Sequence, residues 1–333
     1  MSRLHSLRGT APAGAALLGA LLVALLGACG TAPGAGVDTA AAPSSAAAAG
    51  AAAIDSAALL TDLARLADDS LRGRATGTPE NAKARAYVAA RFDRLGLATV
   101  GAGRVQPFAF TRRDSSRVEG GNVVGLVRGT EQPERYIVVT AHYDHVGVGR
   151  PVNGDSIYNG ADDNASGTAA LLALAEDFAR RPGRHSMLFV AFDAEEQGLR
   201  GARAFVADPP VPKDAIVLNV NMDMVSHSER GELYAAGAAK YPQLRAPLER
   251  VASRAPVKLI LGHDTPEPSP RDDWTSQSDQ GAFHQAGIPF VYFGVEDHPD
   301  YHRPSDEPRT ITPGFFVGAT RTVLAAVREL DGM

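Results

Sequence analysis

The sequence predicts an α/β fold of three layers, with a mostly parallel, mixed central sheet and helices on both faces. Three observations carry that prediction. Five apolar runs of strand length recur between residues 122 and 293, and several are nearly continuous, as strands buried on both faces require. A segment of helical periodicity at 167–180 lies between two of them, the strand–helix alternation of α/β sheets. Hydrophobic residues make up 44% of the chain and charged residues 21%, which excludes wholesale disorder, a collagen-like chain and a coiled coil.

In chain order, residues 1–28 read as an export signal. Arg3 and Arg8 form a positive start, and the apolar run at 15–26 is shorter than the roughly 20 residues a membrane span needs. Leu26-Gly27-Ala28-Cys29 resembles the lipobox of bacterial lipoproteins. That resemblance implies cleavage before Cys29, a lipid anchor on its thiol, and a place on the periplasmic or extracellular side of a membrane. An ordinary signal peptide is the alternative. Residues 29–53, almost all Ala, Gly, Pro, Ser and Thr, read as a flexible tether. Residues 54–333 then form a single domain, with no internal repeat and no linker long enough to divide it.

Within that domain, Leu59, Leu60, Leu63 and Leu66 follow helical spacing. A second helix is predicted over 79–95, with Thr78 as its N-cap, Pro79 in its first turn and Gly96 as its stop. The strands are predicted at 122–127, 136–141, 186–192, 215–222 and 288–293. On the helix at 167–180, Leu171, Leu174, Ala175 and Phe178 share a side.

In open α/β sheets, ligands bind beyond the carboxyl ends of the strands. Here those ends are followed by His142-Tyr143-Asp144, Asp193-Ala194-Glu195-Glu196, Asp223, and a loop with His298, Tyr301 and His302. The stretch Gly160-Ala161-Asp162-Asp163-Asn164-Ala165-Ser166-Gly167 precedes the helix at 167–180. Carboxylates gathered in this way repel one another and need cations. A single cysteine excludes both a disulfide framework and a Cys-rich zinc site. Imidazole and carboxylate donors suit zinc, and also cobalt or manganese, and so many acidic donors favour two ions over one. The net charge of -5 offers no footing for nucleic acid, which needs a basic face.

The ordered set His142-x-Asp144, Gly160 to Gly167, Glu195-Glu196, Asn221-Met222-Asp223 and Tyr301-His302 resembles the two-zinc aminopeptidases of metallopeptidase family 28. Leu71-Arg72-Gly73-Arg74-Ala75-Thr76-Gly77-Thr78 is similar to that family's N-terminal segment, so the resemblance spans roughly 56–330. It implies the fold of zinc-dependent exopeptidases and two Zn2+ per chain. Asp163 would bridge the ions, with Asp162 the alternative. His142 and Asp223 would complete one shell, Glu196 and His302 the other, with His298 competing for the place of His302. Glu195 would be the general acid/base, Tyr301 the donor to the oxyanion, and Asp144 the residue orienting His142 through its second ring nitrogen.

The resemblance further implies peptide substrates with a free N-terminus. Trp274, Phe283 and Tyr292 are candidate walls of the side-chain pocket, and Trp274 serves equally well as ordinary packing. Ser278-Asp279 falls where the family often has a pair near the site, or caps a helix over 280–286. A glutaminyl cyclase, with one zinc, is the runner-up. A carboxypeptidase would need a basic pocket, for which Arg200, Arg271 and Arg303 are the candidates. A noncatalytic surface-binding domain is a further alternative, disfavoured by the intact ligand set.

Overall fold

In the computed structural model, residues 54–101 and 103–333 are described, and they belong to one compact unit. The signal and tether expected at 1–53, Cys29 included, lie outside the described residues. Helix α1 (Ser56–Leu66) opens the domain, capped by the Asp55 carboxylate, which accepts from the Ala57 and Ala58 N–H groups at 3.0 Å. Helix α2 (Pro79–Arg94) begins as expected: the Thr78 hydroxyl accepts from the Asn81 N–H at 3.1 Å, and Pro79 fills the first turn. Gly96, at φ +72°, ends it in the left-handed conformation that glycine adopts without cost.

The strands follow as β1 (Val105–Thr111), β2 (Arg117–Val127), β3 (Gln132–His142), β4 (Gly147–Val152) and β5 (Asp155–Tyr158). Helix α3 (Gly167–Arg180), β6 (His185–Phe192), α4 (Arg200–Ala207), β7 (Ile216–Met222) and β8 (Glu232–Ala236) come next. The chain ends with α5 (Arg245–Ala252), β9 (Lys258–Leu261), α6 (Gln280–Gln285), β10 (Phe290–Gly294) and α7 (Pro313–Asp331). Eight strands form one mixed sheet in the order β1-β2-β6-β3-β7-β10-β8-β9, and β4 pairs with β5 apart from it. Strands β6, β3, β7 and β10 are mutually parallel, so their carboxyl ends emerge along one rim. The antiparallel strands β1, β2 and β8 flank that parallel centre.

Alternation along the strands builds the two outer layers. Ile137, Val139 and Ala141 of β3 face α1, α2, α3, α5 and α7, while Tyr136 and Val138 face α4 and α6. On the second face, Phe192, Phe205 and Phe283 meet with ring centroids 5.6–6.2 Å apart. Phe283, expected as a pocket wall, is therefore a core residue: α6 turns it onto the sheet. Replacing it by alanine should cost about 3–5 kcal/mol of stability, the usual range for a buried aromatic, read as a lower midpoint in urea unfolding. A loss under about 1 kcal/mol would show that these rings do not form a packed cluster.

Candidate metal centre

Four parallel strands deliver their following residues to the same place. His142 closes β3, Asp223 follows β7, Glu195 and Glu196 lie in the turn after β6, and His302 lies in the loop after β10. Asp163 reaches them from the irregular turn at Ala161–Ser166 that leads into α3. His142 Nε2 lies 3.3 Å from Asp163 Oδ1 and 3.4 Å from Asp223 Oδ1. On the other side, His302 Nε2 lies 3.0 Å from Asp163 Oδ2 and 3.3 Å from Glu196 Oε2. Asp163 thus stands between two groups of donors, one oxygen turned to each.

Asp162 points the other way. Its Oδ1 accepts from the Ser226 N–H and hydroxyl, both at 2.7 Å, and its Oδ2 lies 3.2 Å from His298 Nε2. Of the paired alternatives, the geometry therefore brings Asp163 and His302 into the cluster and leaves Asp162 and His298 beside it. The Asp306 carboxylate accepts from the N–H groups of Asp162 and Asp163 at 2.9 and 3.0 Å, which fixes the turn that presents Asp163.

Asp144 meets His142 differently from the expectation. The Nδ1 atom of His142 is 3.2 Å from the main-chain carbonyl of Asp144 and 3.6 Å from its carboxylate. The carboxylate instead accepts from the Glu195 N–H at 3.1 Å and the Thr76 hydroxyl at 3.2 Å. It ties the loop after β3 to the turn carrying Glu195, and the backbone orients the imidazole. Asp193, also at a strand end, is a structural knot: Thr76, Asn81, Gly121 and Tyr143 all donate to its carboxylate within 3.0 Å.

Electrostatics divide the acids. Burial pushes the Glu195 carboxyl well above its usual range, with Asp279, Asp223 and Glu196 adding to the rise against the opposing pull of His142. Burial also works against charge on Asp163 and Glu196, yet neighbouring imidazoles hold Asp163 well below the usual range and Glu196 at about 2. Asp279, fully buried and without a hydrogen bond, is pushed up to about 8 by burial. It does not cap α6. Glu196 Oε1 and Asp223 Oδ1 are buried acceptors that receive no hydrogen bond. Buried polar atoms are normally satisfied, and oxygen and nitrogen donors converging without partners fit a cation.

Two residues of the site escaped the sequence reading of roles. His145 is buried beside Glu196, its Nδ1 2.7 Å from Oε1. Its only signal is a second imidazole three residues after His142. Arg74 is wholly buried beneath the cluster. It donates from Nε to the Tyr143 carbonyl at 2.7 Å, from Nη1 to those of Leu66 and Asn159, and from Nη2 to that of Gly160 at 2.7 Å. Burial lowers its pKa to about 10, so the guanidinium stays charged under the carboxylates.

The cluster opens into a cavity of about 430 Å3 walled by Trp274, Tyr292, Tyr301, Gln277 and Arg203. Trp274 both lines this cavity and packs, its ring stacked on His263 at 3.7 Å. Tyr301 lies flat on His302 at 4.0 Å. Arg200, Arg271 and Arg303 are not among the cavity's lining residues.

Residues 122–327 match peptidase family M28. The chain belongs to this family. A curated M28 relative, aminopeptidase YwaD of Bacillus subtilis, is 28% identical over 237 residues, 66% of this chain and 46% of the relative. A probable zinc metalloprotease of Pyrenophora teres is 32% identical over 44% of this chain. The chain spans only a third to a half of the length of such relatives, 32% and 46% in these two. Among solved structures, the zinc aminopeptidase BSAP of Bacillus subtilis superposes with a TM-score of 0.65 at 20% identity, covering 84% of this chain and 96% of that one. The glutaminyl cyclase of Porphyromonas gingivalis gives 0.69 at 17% identity over 83% and 99%. Both share the fold described above.

Removing Arg74 strips a buried cation from beneath the acids and leaves several carbonyls without donors. Arg74→Ala should cost about 3–5 kcal/mol in urea unfolding, and Arg74→Lys should recover only part, since an ammonium lacks the planar fork. Full recovery by lysine would show that charge alone matters there.

Proposed function

We propose that this M28 chain is a zinc-dependent aminopeptidase with two zinc ions, hydrolysing the N-terminal peptide bond of peptides. One observation carries the reading: Asp163 stands between two sets of imidazole and carboxylate donors, with Glu195, its carboxyl pushed up, lining the same cavity. His142, Asp163 and Asp223 would hold one ion, and Asp163, Glu196 and His302 the other. Bound zinc would polarise the scissile carbonyl and make water acidic enough to lose a proton near neutral pH.

The chain's own residues do the rest. A Glu195 carboxylate oxygen takes the proton of the attacking water and returns it to the leaving nitrogen, a task suited to a carboxyl held above its usual range. The Tyr301 hydroxyl, on the cavity wall, donates to the developing oxyanion. The acidic wall formed by Asp163, Glu195, Glu196 and Asp223 suits the free amino group of a peptide. Among the described residues Arg203 is the one Arg or Lys at that wall, which weighs against capture of a free carboxylate.

A glutaminyl cyclase is the second reading, favoured by the fold shared with the Porphyromonas protein. It calls for one zinc, whereas both donor sets are complete here. We further infer that residues 1–29 export the chain and anchor it through a lipid on Cys29, which radiolabelled palmitate would test: Cys29→Ser should abolish incorporation.

Glu195→Gln should keep both metals and lower kcat about 10²–10⁴-fold on aminoacyl chromogenic amides. Wild-type turnover in that variant would remove Glu195 from the role. Tyr301→Phe should lower kcat about 10²–10³-fold with little change in KM. Chelation should abolish hydrolysis and added zinc restore it; hydrolysis indifferent to chelator would contradict the metal mechanism, and cyclisation of N-terminal glutamine by a one-zinc enzyme would favour the second reading.

A further inference from the structure

The two donor sets that meet at Asp163 are unequal. Resting on the two-zinc reading, we propose that His145 is a fourth protein ligand of the second zinc. The position formed by His145, Asp163, Glu196 and His302 would then be filled by protein donors, and the position formed by His142, Asp163 and Asp223 would keep a place open.

His145 sits in the loop after β3 with its side chain fully buried, and among the described residues neither ring nitrogen has a hydrogen-bond partner. A buried imidazole with both nitrogens unpartnered is costly unless something else takes a lone pair. Its Nδ1 is 2.7 Å from Glu196 Oε1 and 3.8 Å from Asp163 Oδ2. The shorter distance is that of a hydrogen bond, yet the two atoms are not aligned along a ring N–H, and Glu196 Oε1 also remains without a donor. Both atoms are thereby left with a lone pair that a shared cation could take. Donor atoms of His145, Asp163 and Glu196 all lie within 4.8 Å of one another. Ligands about 2.0–2.2 Å from one zinc lie no more than about 4.4 Å apart, and both His145 distances meet that limit.

The ring is also held in place. Gly160, at φ +57°, leaves room for it: a Cβ there would stand 2.5 Å from His145 Cδ2 and 2.6 Å from Cγ. The His302 ring meets it edge-on with centroids 5.7 Å apart. Both imidazoles therefore approach the Oδ2 side of Asp163, while His142 alone approaches Oδ1. Closed sites with four protein ligands are typical of structural zinc, and three-ligand sites keep an exchangeable position. The four-donor position should accordingly fill first and hold its ion more tightly, leaving exchange of water and substrate to the side of His142 and Asp223.

The test is zinc binding to the intact, metal-stripped chain, followed by competition with a chromophoric chelator and by X-ray absorption at one equivalent of zinc. Wild-type protein should bind two ions with affinities at least about 10-fold apart, and the one-equivalent spectrum should contain two imidazoles. His145→Gln should weaken the tighter step about 10–100-fold and leave the weaker step unchanged. Wild-type affinities in His145→Gln, or a one-equivalent spectrum with one imidazole or an average between one and two, would overturn the inference. The absorption measurement decides even where the variant does not fold. A wild-type chain that binds fewer than two zinc ions would instead bring down the two-zinc reading itself.

Discussion

The repulsion among buried carboxylates is the constraint around which this rim of the sheet is built. Asp163, Glu195, Glu196 and Asp223 share one cavity, with Asp144, Asp279 and Asp306 buried close behind. Such a gathering is costly without positive charge. Arg74 supplies part of it from below and imidazoles supply part from the sides. The parallel strands make the gathering possible in the first place, because β3, β6, β7 and β10 end together. A fold with this geometry concentrates acids, and the acids then require cations.

Fold alone does not choose the chemistry. The same architecture is shared with a zinc aminopeptidase and with a glutaminyl cyclase, at similar TM-scores of 0.65 and 0.69. What separates the readings is local: a complete second set of donors around Glu196, a raised carboxyl at Glu195, and a wall richer in acids than in bases. The supporting residues act through the backbone as often as through side chains. Asp306 holds two N–H groups, Asp144 spans two loops, and the main chain of Asp144 steadies the imidazole of His142.

The centre of the sheet was readable because β3, β6, β7 and β10 are covered on both faces and so appear as apolar runs. Strand β1 was not, since its residues alternate between exposed and half-buried and include a proline. Strands β4, β5, β8 and β9, of 6, 4, 5 and 4 residues, are too short to stand out. Helix α7 carries a signal in the sequence, Thr312-Pro313 followed by Phe316, Ala319, Val323 and Val327 at helical spacing. At the site, the residues of the ordered motifs were readable through their resemblance to a family. Arg74 had no readable role because its partners are carbonyl groups, which no side-chain pattern encodes. His145 had no readable role because its burial beside Glu196 shows only in the fold, and Phe283 looked like a pocket wall until α6 turned it inward.

Arg74 and Thr76 bear on where this protein can be cut. The stretch matched to the family begins at Asn122, yet the guanidinium that gathers the carbonyls of Tyr143, Asn159 and Gly160, and the hydroxyl that bridges Asp144 and Asp193, both come from well before it. A fragment trimmed to the matched stretch would retain every side chain in the metal cluster and still lack the floor beneath it. A self-sufficient piece of this chain therefore has to include Arg74 and Thr76, and a boundary drawn at Asn122 would remove both.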